Sequence, residues 1–561
     1  MKCLGLNFSL DAAAAIVVDG RVVAAACQER FDRVKHSAAY PQDAIWACLH
    51  EAGLSIRDLD QVAVSWNPAH HLAVPNRLRE TIYRDHREYL ETIPARLIDA
   101  GGLRPEGATR LSIPGDDGSL DVVFYDHHLC HAAGAYAMSG FEEAAFLTAD
   151  GYGETRSTTW GTGDRGGLQT FGSVDFPHSL GAVYAAVTSF LGFRANNGEG
   201  KVMALAGLGD PATYRTQFDE ILRETADGFE VDLSYFAYFL RSKTRYSDRF
   251  VRTFGPPRVR DGQLCAEHLD LAAALQAATE RVLLHLARLA HEKTGMSRLC
   301  LAGGLALNAV AMGVLEHDGP FDEIFVLPPA HDGGGPLGAA LLAHRDGGGS
   351  WPRLERYDDR LGPGYESDEI GNILADYGIR HHKLADVSDV AADLLARGKI
   401  LGWMQRRMEY GPRALGGRSI LADPRKKAMK DTLNAKVKYR EAFRPFAPIV
   451  RETRMAEYFA DARPSPYMNK VYQATDACLE KAPAVVHDDG SVRVQSVSAE
   501  DDDRLDATLA AFEARTGVPM LVNTSLNKRG QPICATLEDA LACLFTSGLD
   551  ALVVEDYLIE K

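Results

Sequence analysis

The sequence has no excess of positive charge, no cysteine pair at CxxC spacing, no Walker A loop and no long apolar run, and each absence removes a class of function. With 61 Lys and Arg against 77 Asp and Glu, the formal net charge is -16. Such a field repels polyanions, whereas nucleic-acid affinity rests on cations that neutralise phosphates, so no nucleic acid is expected as a partner. The nine cysteines (Cys3, Cys27, Cys48, Cys130, Cys265, Cys300, Cys478, Cys534, Cys543) are odd in number and scattered. That pattern argues against a disulfide framework and against a cysteine-built zinc site. Nowhere do about 18 apolar residues follow one another, so no membrane partner is expected. The opening MKCLGLNFSLDAAAAIVV lacks the basic segment, unbroken apolar stretch and cleavage site of a signal peptide. A cytoplasmic location is the expectation.

What is present points to a large mixed α/β protein. A chain of 561 residues, 46% of them hydrophobic, exceeds what one core usually organises. The Gly347-Gly348-Gly349-Ser350-Trp351-Pro352 loop and the Gly362-Pro363-Gly364 run mark a junction near residue 365, giving expected domains 1–365 and 366–561. A strand Cys3 to Asn7 hands over, past Asp11, to a hairpin of apolar Ala12 to Val18 and Val22 to Cys27 around Asp19-Gly20. A second strand, Ala144 to Ala149, runs into Asp150-Gly151-Tyr152-Gly153-Glu154 and the Thr-rich stretch 155–161. Residues 268–294 have helical apolar spacing, and Leu299 to Ala302 reads as a buried strand entering Gly303-Gly304 and a helix near Asn308. Beyond the junction, Val390 to Arg397 reads as helix, and Lys399 to Gln405 and Met520 to Asn523 as strands.

Several residues could carry chemistry. His127 and His131 lie four apart, so on a helix both imidazoles share one face. An isolated HxxxH is more often an ordinary helical pair, but Asp150 in DGYGE and Asp332 in HDGGGP sit in loops that could bring carboxylates to it. Two imidazoles with carboxylates suit a divalent metal such as iron, manganese or zinc. The Asn197-Gly198-Glu199-Gly200-Lys201, Gly303-Gly304 and Gly333-Gly334-Gly335 loops could approach phosphates closely, although each alone is more often a turn. Arg407, Arg413, Arg418, Arg425, Lys438, Arg440 and Arg444 crowd a short span of an otherwise acidic chain, several of them among apolar, glycine or proline residues. Arginines held on structured backbone suit phosphate recognition, the alternative being surface salt bridges.

These stretches (QERFDRVKH, DHHLCHAAGAY, DGYGE, GEGKVMALAG, GGLALN, RMEYGPRALGGRSILADPR, KYREAFRPFAP, NTSLNKRGQPI) resemble, in order and over nearly the whole chain, the carbamoyltransferases of nodulation-factor and antibiotic biosynthesis. The resemblance implies an N-terminal actin-like ATPase domain, similar to the enzyme that installs threonylcarbamoyl on tRNA. It implies a C-terminal domain similar to threonylcarbamoyl-adenylate synthase. In such enzymes the C-terminal domain makes carbamoyl adenylate from carbamoyl phosphate and ATP, and the N-terminal domain passes the carbamoyl group to a small-molecule hydroxyl. By motif, His127, His131, Asp150 and Asp332 look like metal ligands, with Fe(II) expected and Mn or Zn as alternatives. Gly303, Gly304, Asn308 and Lys201 look like nucleotide contacts, Arg418 less firmly so. Arg413, Lys438, Arg444, Arg493 and Asn523 look like the carbamoyl phosphate and adenylate residues, and Asp11 is placed near acceptor or phosphates.

Two departures stand out: Leu10-Asp11 where relatives commonly have His-Asp, and NTSLNKRGQP, with Leu526 and Gln531, where they have NTSFNxxGEP. Two other readings are a nucleotide-binding regulatory protein without transferase activity, which Leu10 favours, and a tRNA threonylcarbamoyl-modifying enzyme, which the acidic balance disfavours. The acceptor is not specified by the motifs, and a homodimer is only the default expectation for assembly.

Overall fold

Asp19 and Gly20 both adopt positive φ, 50° and 80°. That is the backbone a tight two-residue turn needs, and it folds β2 (Ala13–Val18) back on β3 (Arg21–Cys27) as an antiparallel hairpin. β1 (Lys2–Asn7) pairs antiparallel with β2 and parallel with β4 (Gln61–Val64). The sheet is completed by β5 (Thr109–Gly115) and β6 (Gly118–Phe124), in the order β3-β2-β1-β4-β6-β5. Ala13 to Val17 are all 0% exposed, the continuous apolar run of a strand covered on both faces.

A second sheet repeats the plan. β7 (Ala144–Ala149) runs antiparallel to β8 (Arg156–Asp164), which is antiparallel to β9 (Gly167–Asp175). After a small hairpin of β10 (Leu222–Thr225) and β11 (Gly228–Val231), β12 (Arg298–Ala302) joins β7 in parallel and β13 (Glu323–Val326) joins β12. The order β13-β12-β7-β8-β9 mirrors the core of the first sheet. Two such halves, each a meander followed by parallel crossovers, are the architecture of actin-like ATPases. The repetition makes Asp11, after β1, and Asp150, after β7, equivalent positions. The helix Ala266–Thr294 lays Leu271, Leu275, Val282 and Leu286 into this core at helical spacing.

The computed structural model describes residues 1–70, 104, 107–115, 118–240 and 242–561. The chain forms two units: Met1–Gln28 with His36–Tyr357, and Glu29–Lys35 with Asp358–Lys561. The second unit is built on a nine-stranded mixed sheet. Its strands are β14 (His382–Lys383), β15 (Leu401–Met404), β16 (Arg418–Ala422), β17 (Ala447–Arg451), β18 (Lys470–Gln473), β19 (Ser491–Val497), β20 (Met520–Ser525), β21 (Ala551–Val554) and β22 (Tyr557–Glu560). They lie in the order β14-β22-β21-β15-β16-β20-β17-β19-β18. Leu526 is 0% exposed and belongs to this core. Gln531 is exposed in the loop that follows.

Candidate active site

In the first unit, Asp126 caps the helix His127–Ser139, its Oδ1 accepting from the Leu129 amide at 2.8 Å. His127 and His131 then stand one turn apart, their Nε2 atoms 3.1 Å from each other. β7 ends at Asp150, whose Oδ2 lies 3.1 Å from His131 Nε2 and 3.6 Å from His127 Nε2. Its Oδ1 accepts from the Gly151 amide at 2.6 Å. Asp332, in the turn before the helix Gly335–Asp346, brings Oδ1 to 3.8 Å from His127 Nε2 and 4.0 Å from His131 Nε2. Gly338 makes that approach possible, since a Cβ there would fall 1.8 Å from the Cys130 carbonyl oxygen.

The four ligand atoms lie within 4.8 Å of one another, and His127 and His131 are buried. Burial disfavours a charge on His127, yet Asp150 and Asp332 overcome it and push its pKa up to about 10. Burial and the neighbouring His127 push His131 down. Asp332 is raised well above a normal carboxyl by burial and by Asp150. Asp150 is held well below one by the two histidines, against its own burial. Without a cation, retained protons must hold two facing imidazoles and two carboxylates together. An N₂O₂ donor set of this kind fits a divalent Fe, Mn or Zn ion.

The first unit also holds the other residues expected there from the sequence. Gly303, at φ 88°, packs where a Cβ would lie 2.3 Å from the Ala149 carbonyl oxygen, and the Gly304 amide donates to Asp150 Oδ2 at 3.2 Å. Asn308 caps the helix Ala309–Asp318 and exchanges hydrogen bonds with Gln276, at 3.1 and 2.9 Å. Lys201 lies over the Phe193 ring, 5.3 Å from its centroid. Asp11, at φ 56°, accepts from His36 Nδ1 at 2.7 Å and lies 3.6 Å from His331 Nδ1. These two imidazoles hold its carboxyl below the usual range despite its burial.

In the second unit the cations gather. Arg413, Arg440, Arg444 and Arg493 are partly buried, and Lys438 is buried. Burial, with Arg444 beside it, lowers Arg413 to about 10. Burial and Arg444 take Arg440 to about 9. Arg493 is pushed down by burial and by Arg413, Arg440 and Arg444 together, and its buried Nε has no hydrogen-bond partner among the described residues. Lys438 donates to Ser525 O at 2.5 Å and to Asn527 Oδ1 at 2.6 Å, while burial and Arg440 press its pKa down. Asn523 donates to Ala414 O at 3.0 Å and Gln495 Oε1 at 2.6 Å, tying β20 to the arginine loop. Arg418 is 0% exposed and donates to the carbonyls of Gln405, Arg406, Gly417 and Pro363. Its donors therefore brace the backbone.

Sequence reasoning missed three contributors. Glu409 Oε1 accepts from the amides of Leu415 at 2.8 Å, Gly417 at 2.6 Å and Arg418 at 3.0 Å, so one buried carboxylate shapes the whole GPRALGGRS loop. Lys35 is pushed down chiefly by desolvation of its ammonium and also by the charges of Arg444 and Arg413, so it adjoins the cation cluster. Its segment is anchored within the second unit by Arg33, which donates to Ile533 O at 2.8 Å and Pro532 O at 3.0 Å. Asp359 is buried, its Oδ2 without a hydrogen-bond partner among the described residues, and burial and Glu409 push it from 3.8 to about 8.

Asp359 carries a pH dependence with a definite sign. Between pH 3.8 and about 8 the folded chain keeps a proton that the unfolded chain has released, so its stabilising contribution is complete below that window and gone above it. Asp359→Asn removes the dependence. In urea denaturation the variant should gain on the parent by up to about 1.4 kcal/mol per pH unit across the window, then run parallel to it. Parallel curves from pH 5 to 8 would contradict this.

Comparison with known proteins agrees with the geometry. Residues 2–341 match the family model "Carbamoyltransferase N-terminus" and residues 392–561 match "Carbamoyltransferase C-terminus". The chain is 39% identical to Nodulation protein NolNO of Sinorhizobium fredii, over 100% of this chain and 83% of that protein. It is 38% identical to the Synechocystis protein sll1178, over 98% and 95%, and 30% identical to Nodulation protein U of Sinorhizobium fredii, over 95% and 94%. With both halves of the family matched along the chain and the histidine–aspartate and arginine clusters formed in the fold, the chain belongs to the carbamoyltransferase family.

Proposed function

We propose that this carbamoyltransferase is ATP-dependent and moves the carbamoyl group of carbamoyl phosphate, by way of carbamoyl adenylate, onto a hydroxyl of a small-molecule acceptor. The observation that carries the reading is the cation cluster of the second unit. Burial lowers the pKa values of Arg413, Arg440 and Arg493, and the nearby charge of Arg444 lowers each of them further, a repulsion that a bound polyanion relieves. Carbamoyl phosphate and ATP are both polyanions whose approach needs fixed cations. There carbamoyl phosphate gives up its phosphate to water, the carbamate oxygen attacks the α-phosphorus of ATP, and pyrophosphate leaves.

Transfer then belongs to the first unit. The acceptor oxygen bonds to the carbamoyl carbon, AMP departs, and the hydroxyl proton passes toward Asp11, which His36 and His331 keep ionised. His127, His131, Asp150 and Asp332 would hold a divalent metal, which supplies Lewis-acid polarisation of the carbonyl. Gly303, Gly304, Asn308 and Lys201 would line the nucleotide. The net charge of -16 supports a small-molecule acceptor over tRNA.

Incubation with ATP, carbon-labelled carbamoyl phosphate and a panel of sugar, aminoglycoside and polyketide alcohols tests the reading by mass spectrometry. The label should appear as an O-carbamate on one of them, only when ATP is present. Label transfer that proceeds equally without ATP would refute the adenylate route.

A further inference from the structure

The DHHLCH and DGYGE motifs each contribute to two clusters, and only one of them enters the transfer chemistry. His127 and Asp150 face the four-residue cluster already described. Asp126 and Glu154, from the same two motifs, meet His70 instead, the three ligand atoms lying within 4.8 Å of one another. Glu154 is 2% exposed, and the side chains of His70 and Asp126 are 12% and 18% exposed.

The hydrogen bonds around these groups leave one side of each turned toward the others. Asp126 spends Oδ1 on the Leu129 amide at 2.8 Å, leaving Oδ2 3.6 Å from His70 Nε2. That separation is too long for a hydrogen bond, and the buried His70 Nε2 has no hydrogen-bond partner among the described residues. Glu154 Oε1 is held by the amides of Asn67 at 2.6 Å and His127 at 3.0 Å, while Oε2 has only a longer contact, 3.2 Å, with the His127 amide. Among the described residues Arg156, partly exposed, lies 4.0 Å from Asp126 Oδ2. Two buried carboxylates are thus brought together around the imidazole of His70, an arrangement that is costly unless a proton is retained there or a cation is bound.

We infer that His70, Asp126 and Glu154 form a second divalent-cation site, separate from the His127–His131–Asp150–Asp332 cluster. One imidazole and two carboxylates suit Mn²⁺, Fe²⁺ or Zn²⁺, and ligand distances of about 2.0–2.2 Å would draw the three atoms closer together. The ion neutralises Asp126 and Glu154 together. Because Glu154 accepts from the His127 amide, the ion also steadies the start of the helix that presents both histidines of the first cluster.

The test counts metal on the full chain. After chelator stripping, equilibrium dialysis against Mn²⁺ followed by elemental analysis should find two ions per chain in the parent. His70→Ala should retain one, and so should Asp126→Asn, which keeps an N-cap and therefore the helix. His131→Ala should also retain one, by losing the other ion. A parent that binds a single ion, lost in His131→Ala but kept in His70→Ala and Asp126→Asn, would overturn the second site and leave the first standing. Two ions retained in folded Asp126→Asn and His70→Ala, as judged by circular dichroism, would equally overturn it.

Discussion

Arg444→Ala should abolish ATP consumption that depends on carbamoyl phosphate and, with it, all carbamoyl transfer. Arg444 influences the other cations of the cluster: its charge bears on Arg413, Arg440, Arg493, Lys438 and the exposed Lys35. It is therefore central to the field that two polyanions must enter. Removal of one fixed donor from a preorganised anion site typically costs about a hundredfold to a thousandfold in rate. Truncation also relieves the crowding on the remaining arginines, so stability should hold or rise while activity falls. Pyrophosphate release and product formation, measured on the same sample, should fall together. A variant that still releases pyrophosphate at near-parental rate would place the adenylation chemistry elsewhere.

His131→Ala should fail differently. Its Nε2 faces His127 Nε2 at 3.1 Å and Asp150 Oδ2 at 3.1 Å, and its side chain is 0% exposed. Truncation removes a ligand and leaves His127, Asp150 and Asp332 an incomplete shell. Transfer to the acceptor should drop below detection with loss of the ion held by this cluster. Pyrophosphate release dependent on carbamoyl phosphate should persist, uncoupled from product because the mixed anhydride hydrolyses. If His131→Ala and Arg444→Ala lost that release equally, the assignment of the two half-reactions to different units would be wrong.

Much of this was readable before the fold was known, and the reason is periodicity. The Asp19-Gly20 hairpin, β7 and the helix Ala266–Thr294 follow local rules of turn chemistry, apolar runs and 3.6-residue spacing. The four-residue spacing of His127 and His131 likewise placed both imidazoles on one face. What escaped depends on contacts remote in sequence or on the backbone. Nothing near Glu29–Lys35 signals that these residues join a unit that resumes at Asp358, so Lys35 could not be grouped with Arg413 and Arg444. Glu409 acts through three amides six to nine positions later, and no residue pattern encodes that. Arg418 reads as a phosphate ligand in sequence, yet its guanidinium donates to four carbonyls. The partnership of Asp126 and Glu154 with His70 is equally a product of the fold.

The most direct measurement of the central claim is the fate of ATP labelled in its α-phosphate, incubated with the parent protein, with and without carbamoyl phosphate and with no acceptor. Activation through a carbamoyl adenylate predicts AMP and pyrophosphate in equal amounts, formed only when carbamoyl phosphate is supplied. Formation of ADP and phosphate, or no consumption of ATP under conditions in which a carbamate product is made, would contradict it.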